Sequence, residues 1–171
     1  VVRASVAQPG PVYIRLGRGG EPTLHPGELN LPVGKVLELR TGRDLQLLTT
    51  SNMLETGIAL VQALEAKGLR VGLASCPSIK PFDRAFVEKV VAEGTPVFTI
   101  EEHTICGGLG SIVSEIIAES GKGVRFRRFG IPDEFTHVVG SQQHMRRHFG
   151  LDVESLMRRI LEVDRKSTRL N

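Results

Sequence analysis

The sequence predicts an α/β fold, a mainly parallel sheet with helices on both of its faces. Short β-prone runs alternate along the chain with segments whose apolar residues recur at helical spacing. The run Leu45-Gln46-Leu47-Leu48-Thr49-Thr50 is largely apolar on both alternating sides, as a strand covered on both faces requires. Gly68 and Gly94 stand where helical stretches stop, in the position that favours a left-handed C-cap.

Pro9-Gly10-Pro11 punctuates the start, and Val12-Tyr13-Ile14-Arg15-Leu16 reads as a strand closed by Gly17-Arg18-Gly19-Gly20. From Glu21 the composition turns to Pro, Gly and polar residues. Pro22, Pro26 and Pro32 are spaced so that no helix persists, which makes 21–42 a linker. Within it Lys35 to Arg40 has the pattern of a short strand, and Thr41-Gly42-Arg43-Asp44 that of a turn before the buried strand 45–50. Ser51 or Asn52 is placed to cap a helix running to Lys67, with Leu54, Ile58, Val61 and Leu64 on one side. Arg70 to Ala74 is again a strand, Asp83 a candidate cap for a helix from Arg84 to Ala92, and Pro96 to Glu101 the next strand. A helix carrying Ile112, Val113, Ile116 and Ile117 opens at Gly107-Gly108-Leu109-Gly110-Ser111. Val124 to Arg128 is a further strand, and short helices over Ser141–Phe149 and Asp152–Leu161 complete the series.

With 171 residues, 40% of them hydrophobic, the chain has material for one compact domain and a short extension. Its 22 Lys and Arg against 19 Asp and Glu are scattered, and with 5% aromatic residues the chain has few rings to stack on bases, which argues against nucleic-acid binding. Cys76 and Cys106 lack the paired spacing of a zinc site or disulfide framework, which fits a reducing, cytoplasmic compartment. No apolar run approaches the roughly 20 residues that span a bilayer. Both ends read as cut from something longer. Val1 stands where an initiator methionine would, the first residues read straight into a strand pattern, and 165–171 reads as a polar tail outside the fold, native or not.

Four motifs then stand in a fixed order: Ile79-Lys80-Pro81-Phe82-Asp83, Ile100-Glu101-Glu102-His103, Gly107-Gly108-Leu109-Gly110-Ser111 and Gly130-Ile131-Pro132-Asp133-Glu134-Phe135. With Gly10 to Arg18 upstream and Gly150-Leu151-Asp152 downstream, the series resembles the C-terminal third of the transketolase superfamily, over about Pro9 to Val163. That superfamily includes transketolases, deoxyxylulose-phosphate synthases and the beta subunits of 2-oxo-acid dehydrogenases. The resemblance implies a small sheet of about five strands, mostly parallel with one antiparallel strand. It also implies a domain plan: 1–20 the last strand of a pyrimidine-binding middle domain, 21–42 the linker, and 43–164 the C-terminal domain. Thiamine diphosphate and Mg2+ would be held by domains upstream, so no cofactor, metal or catalytic residue is assigned here.

The resemblance carries one site residue. Arg18 matches the arginine that binds the substrate's phosphate just after the middle domain's final strand, and a guanidinium fork beside glycines suits phosphate oxygens. The alternative is a solvated loop arginine. The stretch Tyr13-Ile14-Arg15-Leu16-Gly17-Arg18 is similar to split-subunit transketolases, while the synthase, whose strand ends Arg-Tyr-Pro-Arg-Gly, is the second reading. The implied partners are an N-terminal domain or subunit, a second copy in a homodimer or heterotetramer, and a sugar phosphate, with no nucleic acid and no membrane. A non-catalytic dimerisation or anion-binding module and a free-standing nucleotide-binding domain are the readings from other classes.

Other residues tempt toward chemistry and have plainer explanations. Gly107 to Ser111 could hold an anion at a helix start, but it lacks the P-loop ending and serves helix-to-sheet packing in the resembled domain. Glu101-Glu102-His103 at a strand end could shuttle protons, or simply tie loops or subunits together. Cys106 has no local base and reads as a buried or inert thiol. His137, and His144 with His148 at helical spacing, suggest a metal, but the adjacent arginines repel a cation and the helix face reads as exposed.

Overall fold

The computed structural model describes residues 2–17, 19–20, 22–25 and 27–168, apart from the side chains of 164–168. Five strands form one sheet in the order β1-β3-β2-β4-β5. They are β1 (Leu37–Arg40), β2 (Leu45–Thr49), β3 (Val71–Ser75), β4 (Val97–Thr104) and β5 (Phe126–Ile131). β1 runs antiparallel to β3, and all the other pairings are parallel. The mixed sheet with one antiparallel strand is the arrangement that the resemblance implied.

The parallel strands are joined by helices α2 (Met53–Glu65), α3 (Arg84–Ala92) and α4 (Leu109–Glu119), and α5 (Gln142–His148) and α6 (Val153–Thr168) follow β5. Alternation along β2 and β4 feeds two cores. Leu47, Phe98 and Ile100 join Leu60, Leu64, Phe129, Leu156 and Ile160 under α2 and α6. Leu48 and Val97 turn the other way, toward Val87, Val91, Leu109, Val113 and Ile116 under α3 and α4. Both faces of the sheet are therefore covered, and each side chain buried there contributes about 1.5–3 kcal/mol. The connection from β1 to β2 presses against β3 so closely that a Cβ at Gly42 would overlap the backbone of Val71 and Gly72.

Several local expectations are corrected. Residues 2–6 form a helical turn, α1 (Val2–Val6), rather than leading into a strand. Residues 11–17 have no regular structure, so the strand read at Val12–Leu16 is not formed. A strand needs a neighbour's backbone groups, and none is offered to this segment among the described residues. β1 lies inside the span 21–42 read as linker, and its pairing with β3 joins the end of that span to the sheet. Neither Asn52 nor Asp83 caps its helix through a side-chain hydrogen bond. Asp83 instead accepts from the Val36 N–H at 3.3 Å and pairs with Lys35 at 3.2 Å, fastening β1's approach to the domain. Helix α6 continues through residue 168, with no Gly or Pro to stop it in 162–168, whereas 169–171 lie outside the described residues.

Candidate functional site

In an open α/β sheet, the crevice at the strands' C-terminal ends, where successive connections leave in opposite directions, is the usual place for function. Here the chain passes from β2 to β3 on one side and then from β3 back across to β4 on the other, so the crevice opens between the ends of β2 and β4. Beyond β2 the backbone must turn sharply into α2. Ser51 takes the turn with a left-handed φ of 55°, and the Oδ1 of Asn52 is buried without a hydrogen-bond partner. A cavity of about 530 Å³ lies above this turn, lined by Arg15, Leu16, Thr23, His25, Ser51 and Asn52 among others.

At the end of β4 three successive residues take three different tasks. Glu101 is 1% exposed. Its two carboxylate oxygens accept the backbone N–H groups of Leu109 at 2.9 Å and Gly110 at 2.8 Å, at the first turn of α4. Burial pushes its carboxyl above the ordinary carboxylate range, while those two N–H groups and the charge of Arg128 pull the other way. Glu102 turns outward and accepts from Arg146 and Gln142, both at 2.9 Å, binding α5 to the sheet. His103 meets the guanidinium of Arg15, whose Nη1 lies 2.9 Å from Nδ1 and against Nε2. Burial, then the charge of Arg15, hold the His103 imidazole below its usual pKa, with Glu102 opposing.

The loop between β4 and α4 is held from several sides. Arg128 donates to the Ile105 carbonyl at 2.7 Å and to Ser111 Oγ at 3.2 Å, and Ser111 Oγ in turn accepts from the Gly107 N–H at 2.9 Å. Gly108 and Gly110 serve close packing, since a Cβ at Gly108 would overlap the Glu101 carboxylate and one at Gly110 would stand 2.7 Å from the Cβ of Arg128, whereas Gly107 has open space beside it and a left-handed φ of 77°. The anion that such a glycine-rich turn could hold is supplied by the chain itself. With Glu101 seated on those N–H groups, a diphosphate there would meet a carboxylate, and the residues present do not fit thiamine diphosphate at this turn.

Arg18, the substrate-binding candidate, lies outside the described residues. Gly19 and Gly20 beside it adopt left-handed φ values of 107° and 88°. Cys106 is exposed rather than buried, because its loop closes through backbone and hydroxyl hydrogen bonds that leave the thiol outside, whereas Cys76 is buried. His144 and His148 are exposed, as the helix face reads from the sequence, and His137 is exposed as well. Among the described residues no group of three or more His, Cys, Asp or Glu is placed to hold a metal ion. A second cavity, of about 390 Å³, lies at the opposite end of the strands, lined by Arg43, Asp44, Phe98 and Ile160 among others.

The sequence did not reveal the roles of Glu101, Arg128, Ser111 or Arg15. The available signal was an acid at a strand's end shortly before a glycine-rich helix start, a spacing that lets the carboxylate fold back over the helix. Chemically, the cavity offers the guanidinium of Arg15, which lines it and also meets His103, as a donor suited to an anionic ligand.

Known proteins give this geometry a context. The family model of the transketolase C-terminal domain matches residues 34–156. The chain is 32% identical over 155 residues to one of the subunits of apulose-4-phosphate transketolase from Actinobacillus succinogenes, a match that covers 91% of this chain and 50% of that protein. It is 37% identical over 156 residues to 1-deoxy-D-xylulose-5-phosphate synthase of Chlorobaculum tepidum, covering 90% of this chain and 24% of the synthase. Among solved structures, a split-gene transketolase in an inactive beta4 tetramer superposes with a TM-score of 0.86 at 28% identity, over 95% of this chain and 52% of that one. The chain thus spans about half the length of the transketolase subunit that it matches, and about a quarter of the synthase.

Proposed function

The chain belongs to the transketolase C-terminal domain family, and on that premise we propose that it is the C-terminal part of a transketolase that transfers a two-carbon ketol unit between sugar phosphates. The observation that carries this reading is the match to a transketolase subunit along 91% of the chain. In this reading the chain is inactive alone. Thiamine diphosphate and Mg2+, which supply the carbanion chemistry when bound, belong to domains outside it, and the seat of Glu101 on α4 supports that division.

The chain's own contribution is binding and assembly. Arg18 binds the substrate's phosphate, on a segment whose neighbour Arg15 reaches His103 at the crevice. Residues 1–20 supply the last strand of the middle domain, which pairs only when that domain's sheet is present, and 43–164 support the assembled subunits. Partner subunits and a cytoplasmic location follow from the same reading. A second reading, the C-terminal part of a deoxyxylulose-phosphate synthase, draws on the 37% identity to that enzyme.

The test is reconstitution. The chain is combined with a separately produced N-terminal and middle-domain partner, and ketol transfer from a ketose phosphate is assayed with native Arg18 and with Arg18→Ala. Transfer that requires the chain, with a raised KM in the variant, supports the transketolase and the phosphate role. Pyruvate-dependent condensation with glyceraldehyde phosphate in its place selects the synthase, and neither activity leaves a structural module.

A further inference from the structure

On the face of the sheet covered by α6, the buried ring of Phe129 carries two arginines. The Arg159 guanidinium, from α6, stands 4.6 Å from the ring centroid, and that of Arg127, two residues before Phe129 on β5, stands 5.8 Å from it. Both lie within the range over which an aromatic face attracts a cation, but two positive charges drawn to one ring also repel each other. Burial, and next the charge of Arg127, loosen the hold of Arg159 on its proton, with Glu162 opposing. Among the described residues neither guanidinium is in an ion pair, and the hydrogen bond that Arg159 makes is a long one, 3.4 Å to the Gly150 carbonyl. Two planar donors gathered on one ring, with positive charge left over, suit an oxyanion.

The cavity of about 390 Å³ adjoins this pair. Phe98, whose ring stacks on Phe129 with centroids 6.1 Å apart, and Ile160, the residue after Arg159, line it together with Arg43, Leu45 and Leu69. Asp44 lines it too, but its carboxylate is committed to Arg70, which donates to the two oxygens at 2.6 and 2.9 Å. Arg43 therefore leaves the cavity positive. A space of that volume, with an apolar floor and a cationic edge, accommodates the body of a small molecule. We propose that Arg159 and Arg127 bind the phosphate of a small phosphate monoester whose organic part enters this cavity. The site lies toward the N-terminal end of β5, at the opposite end of the strands from the crevice beside Ser51 and Asn52.

Titration of the isotope-labelled chain with phenyl phosphate at constant ionic strength, followed by NMR, tests it. The expected result is a saturable shift of the Arg127 and Arg159 side-chain N–H signals and of the backbone N–H of Gly94, which lines the cavity. Arg127→Met, at an exposed side chain, and Arg159→Met, which keeps an unbranched stem against Phe129, each raise the Kd at least about tenfold, with unchanged circular dichroism. Inorganic phosphate shifts the same arginine signals more weakly and leaves Gly94 in place, and phenol does not bind. Shifts that never saturate, or a Kd that Arg127→Met leaves unchanged, overturn the site. Inorganic phosphate that binds as tightly as phenyl phosphate overturns the role given to the cavity and reduces the ligand to the free anion.

Discussion

The carboxylate of Glu101, at the end of β4, accepts the backbone N–H of Gly110 at 2.8 Å and fills the start of α4 from inside the domain. A helix start has N–H groups without intrahelical partners, and satisfying two of them with one buried carboxylate fixes where the helix stands on the sheet. Glu101→Ala leaves both N–H groups buried and unpaired, and a loss of about 2–3 kcal/mol is expected in urea denaturation.

The same residue makes stability depend on pH. Its folded pKa is raised by burial, so the folded state holds the proton more tightly than the unfolded chain. The contribution is complete below the ordinary glutamate value of about 4.3 and is lost as pH rises through the folded pKa. The melting-temperature difference between native chain and Glu101→Gln should therefore move against the native chain as pH rises from about 4 to 7. A difference that is flat with pH counts against this account.

Gly110 has no room for a side chain, since a Cβ there would press on the Cβ of Arg128 at 2.7 Å. Gly110→Ala should cost about 1–3 kcal/mol, as overpacking does, although alanine is the better helix former. A stabilised variant would show that α4 can move away from β5 freely.

Asp152 caps α6 by accepting the Ser155 N–H at 3.1 Å. Burial raises its carboxyl, but hydrogen bonds from Ser155 and Glu154 outweigh that and leave it below the usual aspartate range. The stabilisation is present above the unfolded value of about 3.9 and disappears as pH falls through the lower folded value. Asp152→Ala should lose about 1 kcal/mol at neutral pH and much less near the acid limit, read from thermal melts at both.

Arg15 acts on His103 by charge as well as by contact. In Arg15→Ala the imidazole should titrate at a higher pH by NMR, because the repelling charge is gone and part of the ring's cover goes with it. The lowered value means that stability from neutral His103 is present above about 6.5 and lost as pH falls through the folded pKa. The variant should therefore be less sensitive to mild acid.

Most of the sheet and its helices were legible in the sequence, because both periodicities are properties of neighbouring residues. Leu45 to Thr50 and Arg84 to Ala92 sit where the alternation and the helical spacing placed them. The misses share a different cause. Asp83 has the right residue type for a cap but is drawn to Lys35 and the Val36 N–H, distant in sequence and close in space. β4 continues to Thr104 because β5 pairs with it as far as Ile131, a partner the local pattern does not reveal.

By itself the sequence determined the class of fold, the order of the elements and the family, since apolar periodicity and an ordered series of motifs suffice for these. Tertiary structure decided what the motif residues do. Glu101, Glu102 and His103 look alike as a run of polar residues at a strand's end, yet one caps α4, one ties down α5 and one meets Arg15. Successive side chains on a strand point to opposite sides, so the neighbours each of them met were fixed only when α4, α5 and the segment around Arg15 were packed around the end of β4.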